Sequence, residues 1–143
     1  MQTGIAEGTL LFGQIRYARY SDTVLSPDAF AAAGGGSITD IEDNFAYTLG
    51  IGRQLTERLS GSVSLGYETE GDDDLVSPLA PTNGLFSIGA GASYTVENVT
   101  LSGGVRYTFL GDAQPETGTP DTPRADFEDN DALSAGLQVG FRF

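Results

Sequence analysis

Six segments of this chain place an apolar residue at every second position, with polar or very small residues between, and all six have nearly the same length. In the last, Leu133, Ala135, Leu137, Val139, Phe141 and Phe143 alternate with Ser134, Gly136, Gln138, Gly140 and Arg142. The same rule sets Val105, Tyr107 and Phe109 against Gly104, Arg106 and Thr108, and Tyr47, Leu49 and Ile51 against Thr48, Gly50 and Gly52. A helix of 3.6 residues per turn scatters such a pattern around its circumference, whereas a strand sorts it onto two faces. The pattern predicts strands at about 9 to 20, 44 to 55, 58 to 69, 85 to 96, 99 to 110 and 131 to 143. The first is rougher, with Leu11, Ile15 and Tyr17 on the apolar face and Gln14, Arg16 and Ala18 on the other.

The connections alternate strictly between two kinds. Tight turns are expected around Glu57-Arg58 and Glu97-Asn98, and long loops at about 21 to 43, 70 to 84 and 111 to 130. Ala6-Glu7-Gly8 resembles a third tight turn, which makes Gln2 to Ile5 the end of another strand. The long loops hold Gly34-Gly35-Gly36, Asp72-Asp73-Asp74 and the Pro- and Gly-rich stretch Gln114 to Pro123. On the apolar faces, charge is confined to strand ends, at Arg19 and Arg53, where a long side chain reaches an interface. Aromatic residues also gather toward strand ends. Strands of one length, short turns at one end and long loops at the other describe an all-β, antiparallel transmembrane β-barrel of the outer membrane. The competing reading is a secreted β-sandwich, whose strands are typically nearer 5 or 6 residues and less uniform.

Composition removes several classes of function. There is no His and no Cys, so the common zinc sites, Cys or His nucleophiles and Ser-His-Asp catalysis are excluded, and no disulfide forms. A formal charge of −13, with all seven cations scattered arginines, makes nucleic acid an unsuitable partner. No enzymatic activity and no cofactor are expected. No run approaches the roughly 18 apolar residues of a membrane helix, and MQTGIAEGTL has neither the basic nor the apolar region of a signal peptide.

Six strands are fewer than the roughly eight at which single-chain barrels begin, and an open sheet leaves backbone groups unpaired in hydrocarbon. Closure therefore requires further strands or self-association. Eight glycines on the polar face, among them Gly50, Gly66, Gly89, Gly91 and Gly136, point to a wide lumen or a closely packed plug. The stretch Gly71 to Gly84, with its Asp-x-x-Ser-Pro segment, followed by the Gly89/Gly91 strand, the Glu97-Asn98 turn, the Gly111-Asp112-Ala113 exit and the aromatic close Phe141-Arg142-Phe143, resembles the C-terminal part of FadL-type outer-membrane transporters, alphaproteobacterial members above all. The resemblance implies that residues 1–143 form one segment of a fourteen-stranded barrel, without the N-terminal hatch and the first eight or so strands. It implies passive uptake of long-chain fatty acids or other hydrophobic compounds at the bacterial cell outer membrane, with membrane lipid and lipopolysaccharide as surroundings. The alternative expectation is a small structural or adhesive barrel that moves nothing.

Two candidate binding residues stand on the polar faces. Arg16 and Arg106 each leave a tight turn, reach similar heights by residue count, and offer charge-assisted hydrogen bonds to a passing carboxylate; pairing with acids such as Glu68 is the competing role. Asp72-Asp73-Asp74 and the group Asp126, Glu128, Asp129 and Asp131 offer hard oxygen ligands of the kind calcium takes, but neither has the interleaved spacing of an EF-hand, and they are read as solvated charge with no metal site expected. The apolar loop Leu75 to Gly84 is expected either to cap a lumen or to fold over its neighbours as a compact loop.

Overall fold

The computed structural model describes residues 2–23, 25–32, 42–71, 75–77, 82–115 and 122–143. In chain order its elements are β1 (Gln2–Ala6), β2 (Thr9–Ala18), α1 (Asp28–Ala32), β3 (Asn44–Gln54), β4 (Leu59–Glu68), β5 (Leu75–Val76), β6 (Leu85–Val96), β7 (Val99–Leu110), β8 (Gln114–Pro115) and β9 (Asp131–Phe141). All six alternating segments are strands within two residues of the expected bounds. Gln2–Ala6 is the seventh strand, and the tight turn expected at Glu57-Arg58 begins at Leu55. The single-turn helix and the two-residue strands β5 and β8 are too short to carry a period and were not expected.

The seven longer strands form one sheet in the order β1-β2-β3-β4-β6-β7-β9, and each neighbouring pair is antiparallel. Register aligns the apolar positions into rows that cross the sheet. One runs Ile15, Tyr47, Tyr67, Phe86, Phe109; the next runs Gly13, Leu49, Leu65, Ile88, Tyr107, Leu133; a third runs Leu11, Ile51, Val63, Ala90, Val105, Ala135. Because the side-chain period is two, a slip of one residue in any pair would turn a whole strand's apolar set to the other face.

Tight turns lie together at one end. Gly8 takes a φ of 63° and Glu97 one of 52°, conformations that close a hairpin in two residues. Thr56 Oγ1 accepts the N–H groups of Arg58 (3.3 Å) and Leu59 (3.0 Å), which rounds the third turn. Neighbouring turns are joined through Gln54 N–H to Gly8 O (2.7 Å), Thr95 N–H to Arg58 O (2.8 Å) and Arg142 N–H to Asn98 O (2.8 Å).

The long connections meet at the opposite end. β5 and β8 pair in parallel, Ala113 and Phe127 exchange backbone hydrogen bonds at 3.0 Å, and Gly111 N–H reaches Gly84 O at 3.1 Å. A Cβ on Gly111 would overlap the carbonyl of Asn83, so that approach requires glycine. Ser77 and Ala113 are each 1% exposed at this junction. The described parts of the Leu75 to Gly84 loop thus fold against the 111–115 segment, as a compact loop does. Asp72-Asp73-Asp74, Gly34-Gly35-Gly36 and much of the Gln114 to Pro123 stretch lie outside the described residues.

The sheet is open, with β1 and β9 as its two edges. It is not closed into a barrel within this chain, for which closure was expected to require further strands or self-association. Seven alternating strands leave β1 and β9 running in the same direction, so the two edges do not meet as an antiparallel pair.

Candidate functional site

This sheet leaves its apolar face uncovered, as a water-soluble protein does not. The apolar face is exposed, from Leu133 at 74% and Leu137 at 77% down through every row, including Tyr47, Leu49, Leu65, Ile88 and Val105, and Ala113 is the one buried apolar residue among those described. The buried side chains at the loop end are small or polar, with Ser77 1% exposed, Ser87 4% and Asn83 6%. Monomeric soluble proteins rarely expose a contiguous apolar patch beyond a few hundred Å². This one runs across six strands.

Aromatic rings cluster where the apolar face approaches the long loops. Tyr17 stacks on Phe45 with centroids 4.6 Å apart, Phe45 lies 6.1 Å from Tyr47, Tyr47 lies 6.3 Å from Tyr67, and Phe86 lies 6.2 Å from Phe109, which meets Tyr107 edge-on at 4.9 Å. Two of these rings hold a carboxylate at the rim. Tyr17 donates its hydroxyl to Asp43 Oδ2 at 2.7 Å, and Tyr107 donates to Asp131. Asp43 Oδ1 also accepts the backbone N–H (2.9 Å) and the hydroxyl (2.7 Å) of Ser21, which ties the first long connection across its own base. The Tyr17 hydroxyl, then the two Ser21 donors, stabilise the ionised carboxylate and hold the Asp43 pKa well below the usual range, at about 2.

The polar face is a floor of glycine and hydroxyl side chains. Ser93 and Ser102 share a hydrogen bond at 2.9 Å, and Thr95 and Thr100 one at 3.1 Å. Some of the glycine space, expected to mark a wide lumen or a closely packed plug, is filled within the sheet itself. The Phe12 ring, on the polar face of β2, lies across Gly50 where a Cβ would overlap it, and Ser87 Oγ lies 2.6 Å from where a Cβ on Gly66 would stand. Gly136, by contrast, faces open space. Phe12 was missed because it breaks the period of its strand, and that break was the available signal.

Arg106 stands in a hollow of about 520 Å³ floored by Gly89, Gly91, Gly104 and Gly136 and walled by Ser62, Ser64 and Ser134. It pairs directly with Gly89 on one side and Ser134 on the other. Ser64 Oγ and Arg106 Nε both lean over Gly89, 3.0 and 3.7 Å from where its Cβ would stand. The hollow therefore offers one guanidinium and several hydroxyls to an oxygen-bearing head group, with no carboxylate among its lining residues.

Arg16 is placed elsewhere. It donates to the hydroxyl of Tyr20, which lies just past the end of β2. Its row runs Arg16, Ala46, Glu68, Leu85, while that of Arg106 runs back through Gly89, Ser64 and Gly50 to Phe12. Four strand spacings of ~4.8 Å and four residues of ~3.4 Å separate them by roughly 23 Å. They do not grip one head group together. Glu68 accepts the side-chain amide of Asn44 at 2.6 Å rather than either arginine, and Arg19 pairs with Asp22 at 2.9 Å.

Charge is divided between the two ends. Around the long connections stand Asp22, Asp28, Glu42 and Asp43, then Glu70, then Asp112, Asp126, Glu128, Asp129 and Asp131, against Arg19 and Arg124 alone among the described residues. At the turn end Glu7, Glu57 and Glu97 are matched by Arg53, Arg58 and Arg142. The Asp126 to Asp131 group is dispersed: Asp126 accepts from Gln114 (3.3 Å), Asp112 accepts the Asp129 N–H (3.3 Å) and Asp131 accepts from Tyr107. No three carboxylates converge among the described residues.

These features define an all-β protein built on one large antiparallel sheet with one apolar and one polar face. Comparison with protein-family models, with curated proteins and with solved structures finds no match.

Proposed function

We propose that this chain is a segment of an outer-membrane β-barrel whose apolar face meets lipid and whose polar face lines a route for the passive uptake of hydrophobic compounds, long-chain fatty acids among them. The exposed apolar face carries this reading, because such an extended face is stable beside hydrocarbon and unstable in water. Dimensions support it. From Val99 to Phe109 an apolar residue or glycine recurs at every second position over ten residue steps, ~34 Å along the strand, which at a ~40° tilt spans about 26 Å against the ~25 Å apolar band of such barrels. The sequence resemblance to FadL-type transporters points the same way.

Closure follows from direction. Since β1 and β9 run in the same sense, an all-antiparallel ring takes an odd number of further strands, and the one beside β9 runs from the turn end to the loop end. Two copies joined β9 to β9 would put the long acidic loops of one copy on the wrong side of the membrane. Within the passage, Arg106 with Ser64 and Ser134 supplies the polar contact to a ligand head group, and Arg16 lines water near the loop end.

Native mass of the refolded chain, measured with and without detergent and with oleate, tests this. The chain is expected to stay folded only with detergent, and Arg106→Gln is expected to weaken oleate retention. A folded monomer that is soluble without detergent would overturn the membrane reading; unchanged retention in Arg106→Gln would remove that residue from the ligand contact.

A further inference from the structure

The two edges of the sheet are unlike. β1 holds five residues and its register shifts between Gly4 and Ala6, an irregularity of the kind that blunts an edge, whereas β9 pairs with β7 without a break from Asp131 to Phe141. Where this ladder ends, Leu110 N–H bonds to Asn130 O and Arg142 N–H to Asn98 O. Bonded pairs fall at every second residue of an antiparallel ladder, so the even-numbered residues of β9 turn their backbone groups toward β7. Asp131, Leu133, Ala135, Leu137, Val139 and Phe141 turn theirs outward, where no strand lies among the described residues. These residues belong to the apolar face, and backbone groups are not left unpaired in hydrocarbon.

Gly136 sets what a neighbour must carry. On the polar face Gly50 is covered by the Phe12 ring, Gly66 by Ser87, and Gly89 and Gly91 by Ser64 and Ser62, while Gly136 alone among the described glycines has nothing within 4 Å of where a Cβ would stand. A strand on the outer side meets Gly136 in a non-hydrogen-bonded pair, the kind in which facing side chains approach most closely.

We propose that the outer edge of β9 takes one transmembrane strand that is none of the seven in this sheet, antiparallel to β9, with apolar residues beside Leu133, Leu137 and Phe141 and an aromatic side chain laid over Gly136. The inference rests on the barrel reading above and specifies the neighbour that closure at this edge requires. A second copy does not supply it. β9 against β9 inverts one copy across the membrane, and β1 of a copy in the same orientation lies parallel to β9 and offers five residues against eleven.

The chain contains no Cys, so a disulfide between two introduced cysteines reports the register. The probe is a synthetic peptide of residues 8–20, which runs in the required direction, alternates in the same way and carries Phe12 on its polar face. With Phe12 over Gly136, Gln14 of the peptide faces Ser134. In detergent micelles the full chain bearing Ser134→Cys is expected to couple to the Gln14→Cys peptide. Gln138→Cys, four residues or ~14 Å away, is expected to couple about tenfold less. Adding Phe12→Ala to the peptide is expected to cut the Ser134→Cys yield about fivefold. Amide exchange gives a second reading: the peptide is expected to slow it about tenfold at Leu133, Ala135, Leu137 and Val139, and to leave it unchanged at Ser134, Gly136 and Gln138, which are bonded to β7. Equal coupling at the two positions, indifference to Phe12→Ala, or unchanged exchange at the outward amides would overturn the docking edge in a chain that folds only with detergent. Ser134→Cys chains that couple to one another in preference to the peptide would give the edge to a second copy and overturn it as well. A chain folded and soluble without detergent would overturn the barrel reading along with it.

Discussion

Val105 sits at the middle of the apolar face, and replacing it with arginine gives the sharpest test of what that face touches. It pairs with Ala90 on β6 and Ala135 on β9, is 54% exposed, and lies four residues from the aromatic row at Phe109 and six from Val99. Four residues are ~14 Å along the strand, or about 10 Å in depth at a ~40° tilt. That distance leaves a guanidinium poorly placed to reach headgroups. If the face meets lipid, Val105→Arg costs about 2–4 kcal/mol of folding free energy, and the same change at Val96, near the turn end, costs about 0–1 kcal/mol. If the face meets water, a half-exposed Val105→Arg changes stability by no more than about 0.5 kcal/mol. Gly136→Arg, on the open part of the polar face, is the control and is expected to cost less than about 1 kcal/mol. Urea unfolding of the chain refolded into lipid vesicles, followed by tyrosine fluorescence, measures all three. A Val105→Arg variant within about 0.5 kcal/mol of the parent, or a Gly136→Arg variant that suffers as much, would refute the reasoning.

Three further outcomes are expected. Gly50→Ala forces the Phe12 ring off its seat and is expected to destabilise by about 1–2 kcal/mol, yet to be nearly neutral when Phe12→Ala is already present; a double-mutant cycle with no coupling would contradict the packing. Gly111→Ala meets backbone rather than a side chain, so about 1–3 kcal/mol of strain falls on the junction with Asn83, and limited proteolysis of the 69–84 loop is expected to quicken. The Asp43 tie depends on its carboxylate: because the folded pKa is depressed to about 2, the stabilisation is complete above the unfolded value near 4 and disappears as pH falls from about 4 to about 2. Hydrogen exchange at the Ser21 amide is expected to accelerate across that window, and an Asp43→Asn variant to lose this pH dependence.

How much of this was legible in advance varies with the kind of interaction. Strand positions and face membership were readable to within two residues because alternation is a local property, set by the pleat of a single strand. The division into a turn end and a loop end was readable as well, since short and long connections alternate without exception. The junction of β5 with β8 was not readable, because it joins residues nearly forty apart through backbone groups that leave no mark in side-chain type.

The candidate site divides along the same line. That Arg16 and Arg106 lie on the polar face follows from the sequence, whereas their separation by four strand spacings, and the choice of Asn44 over either arginine as partner for Glu68, depend on register between strands. Tertiary structure alone places Phe12 over Gly50, gathers Ser62, Ser64 and Ser134 around Arg106, and leaves β1 and β9 as edges running in one direction. The physical reason is that a strand's own period determines which side each residue faces, while which residues become neighbours is determined by hydrogen bonds between strands, and those bonds form between backbone groups that every residue shares.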